Sequence, residues 1–312
     1  MKLKTRIRIL IATLFLFWAA TASAASIRIG WTDWDDAEFV AKLAQRLLEE
    51  RLDYKVKLVK DSVKFQYSAL ALGSIDLMLM SWQPDTHKDS IDKYGNKVEQ
   101  LGTLYSGARL GWAVPAYIPE EQLGSIADLR KPGIGAKLKN TITGIDAGAG
   151  IMAMSQEAIS KYSLDDKTKG ASKTTVRNAA IRDADMDHSD EYELSTSSTD
   201  DMTGDLGDAI ANKGWIIVTA WTPHWMFAAY EMRFLDDPKN IFGKDQRVVA
   251  LARPGFSQDD PEAAAFIGRL YIPMDELAEA LLDAQRTSDD QAVAKYIKDH
   301  PARVNYWVTG DL

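Results

Sequence analysis

The chain of 312 residues has no cysteine and four histidines. Without thiols it forms no disulfide, carries no acylated cysteine anchor and offers no thiolate nucleophile or metal ligand. Also missing are a Gly-x-Ser-x-Gly elbow, a phosphate loop and a His-Glu-x-x-His pattern, which leaves catalysis by those routes unsupported. Basic charge is in short supply: the formal net charge is −8, and nucleic acid is not an expected partner. Beyond the amino terminus no apolar run reaches the roughly 20 residues of a membrane-spanning helix. Neither a metal nor a cofactor is expected.

What is present begins with Lys2, Lys4, Arg6 and Arg8, an apolar run from Ile9 to Ala20, and the small residues Ala22-Ser23-Ala24. This is the pattern of a signal peptide covering residues 1–24 and cut near Ala24; the run is short for the competing reading, a membrane anchor. Removing those four positive charges leaves a mature chain of net charge −12. Export to a bacterial periplasm is expected, as a soluble monomer. A hydrophobic share of 46% is enough for a substantial core.

Along the mature chain, buried strands alternate with amphipathic helices, the pattern of an α/β architecture. Three of these strands share one ending. Ser26 to Gly30 runs into Trp31-Thr32-Asp33-Trp34, Ile75 to Met80 into Ser81-Trp82-Gln83-Pro84, and Trp215 to Ala220 into Trp221-Thr222-Pro223-His224-Trp225. Each time a Trp closes the strand, and polar residues or Pro open the next segment; Thr222-Pro223 suits the cap and first position of a helix over 223–230. Open α/β sheets bind ligands at the carboxyl ends of their strands.

A quaternary ammonium donates no hydrogen bond, so aromatic faces and shape must recognise it, and Trp is the strongest face. Trp31, Trp82 and Trp221 are therefore candidate walls of a cation cage. Any single Trp is more often a core filler; three in one context favour the cage. Asp33 reads equally as a negative contact for the cation or as a helix N-cap. His224 reads as a donor to a ligand carboxylate or as a residue satisfying local backbone. Trp34, Trp112, Trp215 and Trp225 read as structural, Trp307 lies in the tail, and His87 and His300 read as helix-end residues. Ala147-Gly148-Ala149-Gly150 opens a helix to about Tyr162, where backbone N–H groups could face an anion, although a tight turn is the commoner reason for such glycines. Residues 165–190 read as an acidic surface excursion. Asp183, Asp185 and Asp187 are spaced like a calcium loop, but His188 and Leu194 break the pattern.

Several segments together resemble the substrate-binding proteins of ABC importers for glycine betaine, proline betaine and choline. They are Ile29 to Asp33, Ser81 to Lys88, Gly107 to Gly111, Gly144 to Gly150, and Ile217 through Asp236-Asp237-Pro238. The resemblance implies a two-lobed α/β clamp of the type II periplasmic kind with its ligand between the lobes. Residues 25–110 would begin lobe 1, 111–220 form lobe 2, and 221–312 return to lobe 1, with crossings near Leu110 to Pro115 and Ile216 to Trp221. It also implies a quaternary ammonium ligand among Trp31, Trp82 and Trp221, contacts from His224 and Asp33, and delivery to an ABC permease at the inner membrane. Two features depart from the family pattern: Ala147 stands where Pro is usual, and the excursion is long. Two other functions are open to the same cleft: an exported enzyme with His224 as general base oriented by Asp33, and a subunit that presents solute to a sensor.

Overall fold

The computed structural model describes residues 26–165 and 191–311. The expected signal peptide with its cleavage site, the calcium-like aspartates and nearly all of the acidic excursion lie outside the described residues.

Nine strands make one continuous sheet in the order β2 (Lys55–Lys60), β1 (Ser26–Trp31), β3 (Leu77–Gln83), β9 (Gln246–Ala252), β4 (Glu99–Pro115), β7 (Val218–Thr222), β5 (Thr141–Thr143) and β6 (Glu193–Ser195), with β8 (Met232–Phe234) also paired to β4. Strands β1 (Ser26–Trp31), β2 (Lys55–Lys60) and β3 (Leu77–Gln83) run parallel to one another, and β9 (Gln246–Ala252) lies antiparallel between β3 and β4. β3 is buried along its whole length, which is why it opens on the apolar run Leu77-Met78-Leu79-Met80 rather than on an alternation. Around this half pack α1 (Asp35–Arg51), α2 (Val63–Ala71) and α3 (Lys88–Tyr94). The apolar face of α1 carries Phe39, Leu43 and Leu47, all fully buried, each stabilising the fold by about 1.5–3 kcal/mol. At the base, Asp76 accepts from Arg28 Nε and Arg253 Nε at 2.8 Å each, tying β1 to the segment that follows β9.

Sequence patterning predicts two strands between Gln100 and Val114; the structure has one, β4 (Glu99–Pro115). Gly107, with φ +82°, and three register shifts against β9 interrupt the alternation without ending the strand. β4 pairs with β9 from Glu99 to Ala108 and with β7 (Val218–Thr222) from Arg109 to Ala113. It is the crossing from the first half of the sheet to the second. The second half holds α4 (Ile134–Leu138), β5 (Thr141–Thr143), α5 (Gly150–Lys161), β6 (Glu193–Ser195), α6 (Thr199–Ala211), β7, α7 (Met226–Ala229) and β8 (Met232–Phe234).

The boundary expected between 220 and 221 falls inside β7, and β7 is paired with the second half on both sides. The chain returns to the first half later, between β8 and β9. Helices α8 (Phe256–Asp259), α9 (Pro261–Arg269), α10 (Met274–Arg286), α11 (Asp289–Asp299) and α12 (Pro301–Thr309) then coat that half. The helix expected over 223–230 is the short α7; the Thr222-Pro223 peptide is cis, and Trp225 takes the cap position. Among the described residues no helix is long and apolar enough to cross a membrane.

Candidate functional site

Where the two halves meet, three indoles line a narrow cavity together with Leu110, Ile145, Ala149 and Ile151. The indoles are Trp34, Trp82 and Trp221. Each is placed by a different element. Trp82 sits near the end of β3, and its ring meets Tyr105 edge to face at 6.2 Å. Trp221 pairs across the β4–β7 ladder with Leu110. Trp34 is the residue that caps α1 in an extended conformation (φ −124°, ψ 136°), which turns its side chain away from the helix and into the cleft.

Trp31 is not among the residues that line the cavity. Its register partner is Lys60 on β2, the outermost strand, and the Lys60 ammonium lies 5.2 Å from its ring centroid. Asp33 is elsewhere too: it neither caps α1 nor reaches the cavity, and its exposed carboxylate pairs with Lys60 Nζ at 2.5 Å. His224 is buried behind the cage. Its ring meets Trp221 edge to face at 4.6 Å, its Nδ1 accepts from the Met226 N–H at 3.2 Å, and its Nε2 lies 3.0 Å from Asp35 Oδ2 without the alignment of a hydrogen bond. The His224–Asp33 pair required by an enzymatic reading is thus not assembled; each residue has a different neighbour.

Carboxylates hold two of the three indoles by their edges. Trp34 Nε1 donates to Asp146 Oδ2 at 3.1 Å, and Trp221 Nε1 donates to Asp36 Oδ1 at 3.1 Å. Asp36 is fully buried, and its other oxygen accepts from the Tyr105 hydroxyl at 2.5 Å. Burial pushes its carboxyl pKa above the usual range, against the two hydrogen bonds, which favour the anion. Fixing the N–H edges leaves the indole faces free to turn toward the cavity.

His87, expected from sequence to be a helix-end residue, does cap α3, but it is also buried beside the cage. Its Nδ1 accepts from the Trp82 N–H at 3.1 Å, and its ring centroid lies 6.0 Å from that of Trp34. Desolvation pulls its pKa down to about 3, so at neutral pH it is the neutral imidazole with its proton on Nε2. That Nε2 is buried and has no partner. Next to it, α5 begins without a side-chain cap, so its first N–H groups are unsatisfied by the helix itself. Gly150 lets that helix end approach closely: a Cβ there would lie 2.5 Å from Thr86 Cγ2 and 2.6 Å from the Thr86 carbonyl oxygen.

The sequence model of the substrate-binding domain of ABC-type glycine betaine transport systems matches this chain in two overlapping segments, residues 25–188 and 169–299. The chain belongs to this family. It is 36% identical over 181 residues to the glycine betaine/carnitine transport binding protein GbuC of Listeria monocytogenes; the match covers 58% of this chain and 53% of that one, so it spans about half the length of that relative. Two solved structures superpose on most of the chain. Lactococcal OpuAC, in its closed form with glycine betaine, gives a TM-score of 0.75 at 28% identity, covering 91% of this chain and 100% of that one. The glycine betaine, L-proline binding protein ProX of Borrelia burgdorferi gives 0.77 at 30%, covering 91% and 96%. The fold is accordingly the two-lobed α/β architecture of periplasmic binding proteins, and the family is one of transport binding proteins.

Proposed function

We propose that the protein is exported to the periplasm, captures a betaine there and hands it to an ABC permease at the inner membrane. The observation that carries this reading is the cavity walled by Trp34, Trp82 and Trp221 with four aliphatic side chains. An apolar, three-faced box suits a trimethylammonium group, which needs electrostatic attraction without hydrogen bonding. Each face contributes roughly 0.5–2 kcal/mol, more as water is excluded. In this reading Trp31 and Asp33 leave the site, Trp34 enters it, and His224 supports Trp221 from behind instead of touching the ligand.

The rest of the ligand is read at the end of the cage formed by the start of α5, whose Ala149 and Ile151 line the cavity. The uncapped helix start supplies donors, and donors at a helix N-terminus favour a carboxylate. The buried acceptor behind the cage, Asp36, is already occupied by Trp221 and Tyr105, which leaves little for the hydroxyl of choline. Calorimetric titration of the purified mature chain with glycine betaine, choline and carnitine tests the assignment. Glycine betaine is expected to bind in the micromolar range and at least tenfold tighter than choline; no heat from any of the three at millimolar concentration would refute the function, and a preference for choline would refute the polar end.

A further inference from the structure

Two of the cage indoles share a feature that packing alone does not require. Each gives its N–H to a carboxylate, and the partner of each belongs to the other half of the molecule. Trp34 precedes α1 in the first half, and Asp146 lies on the loop between β5 and α5 in the second. Trp221 is on β7 in the second half, and Asp36 is in the first turn of α1. Asp146 is itself held in place, since its Oδ1 accepts from the Gly148 N–H at 3.2 Å while Oδ2 takes the indole N–H. The carboxylate is therefore fixed at the N–H edge of the Trp34 ring.

An anion bound at the N–H edge pushes electron density into the ring and adds its own negative potential on the far side of it. Both effects deepen the attraction of the ring face for a cation without giving the cation a hydrogen-bond partner. Because the bond spans the two halves, separating them removes it. We infer that Asp146, seconded by Asp36, sets the preference of the cage for a true cation over an uncharged group of the same shape, and that it does so only when the halves are together. Asp146 is thus a positioning and charge-setting residue that acts through Trp34 and does not touch the ligand. The inference rests on the reading of the Trp34, Trp82 and Trp221 cavity as the betaine site.

The discriminating pair of probes is glycine betaine and 3,3-dimethylbutanoate, which has a carbon where the betaine has its charged nitrogen. Asp146→Asn keeps the size of the side chain and removes its charge, leaving one oxygen to accept from either the Trp34 Nε1–H or the Gly148 N–H. The variant is expected to bind glycine betaine about tenfold more weakly and dimethylbutanoate within about twofold of the unmutated chain, with an unchanged circular dichroism spectrum. Asp36→Asn is expected to narrow the betaine-to-dimethylbutanoate ratio in the same direction. Equal losses for the two probes would show a packing or closure role and overturn the inference, as would unchanged betaine affinity in Asp146→Asn. Failure of the unmutated chain to bind glycine betaine at all would overturn the reading of the cavity itself, a different result from equal losses.

Discussion

Replacing Trp34 with Ala and, separately, Trp31 with Ala separates the two tryptophans that stand three residues apart. Trp34 lines the cavity and is 7% exposed, so its face acts in a largely desolvated site, where a cation–π contact is worth about 2 kcal/mol. Truncation also deletes the hydrogen bond to Asp146, worth about 1 kcal/mol net. Together these come to about 3 kcal/mol, a loss on the order of 100-fold in affinity for glycine betaine. Trp31 contacts Lys60 near the sheet's outer edge, and its removal is expected to leave affinity within about twofold. Titration calorimetry gives the two affinities, and the quench or shift of tryptophan fluorescence on binding gives an independent reading. Circular dichroism and thermal melting confirm that both variants fold. A larger loss in Trp31→Ala than in Trp34→Ala would refute the geometry assigned to the cage.

Two other perturbations bear on the same interface. Gly150→Ala places a methyl group against Thr86 Cγ2 and the Thr86 carbonyl oxygen, so the start of α5 must retreat from the first half. Affinity for glycine betaine should drop by at least about tenfold, and small-angle scattering should show no contraction on adding ligand; native affinity with normal contraction would refute the contact. The second concerns acid. His87 has a folded-state pKa of about 3, below the value of about 6.5 it takes when unfolded. Between those values the unfolded chain binds a proton that the folded chain does not, so this residue's contribution to stability is full above about pH 6.5 and falls as the pH drops toward 3. Melting temperatures of the unliganded protein should decline more steeply over that interval than those of His87→Gln; parallel curves would show that His87 is not held neutral.

Part of this arrangement is legible in the sequence, and part is hidden for identifiable reasons. Trp82 and Trp221 stand out because each follows a buried strand, and strand ends converge on the cleft. The same rule applied to the first strand selects Trp31, but there the chain continues through Thr32 and Asp33 before turning, and Trp34 is the residue whose extended backbone at the cap directs it inward. No periodicity encodes that turn. His87 hides for another reason: a buried imidazole with one free N–H looks in sequence like any histidine before a helix. The alternation of strands and helices announces the α/β class, whereas the 17-residue β4 looks like two strands because Gly107 and its bulges interrupt the pattern. The boundary that the resemblance implies at 220/221 falls inside β7, because the apolar run before Trp221 looks equally like a core strand and a crossing. Its pairing with both β4 and β5 is a long-range fact that local residues do not carry.

The four consecutive residues from Asp33 to Asp36 each reach the second half. The Asp33 carbonyl accepts from Thr199 Oγ1 at 3.3 Å, Trp34 donates to Asp146, Asp35 lies 3.0 Å from His224 Nε2, and Asp36 accepts from Trp221. The three hydrogen bonds among them contribute only about 0.5–1.5 kcal/mol each, and four scattered residues would each lose freedom in making such contacts. Here all four sit where β1 hands over to the rigid start of α1, so one rigid-body motion forms them together and the ordering cost is met once. The same turn carries a wall of the cage. A cation seated against Trp34 and Trp221 adds its attraction to contacts made by the very residues that hold those rings, and each makes the other more favourable. On the proposed reading, ligand release then requires the turn to leave as a unit. A variant weakening any of these contacts should therefore raise the dissociation rate more than it lowers the association rate; stopped-flow fluorescence on Asp35→Asn, with the change confined to association, would contradict it.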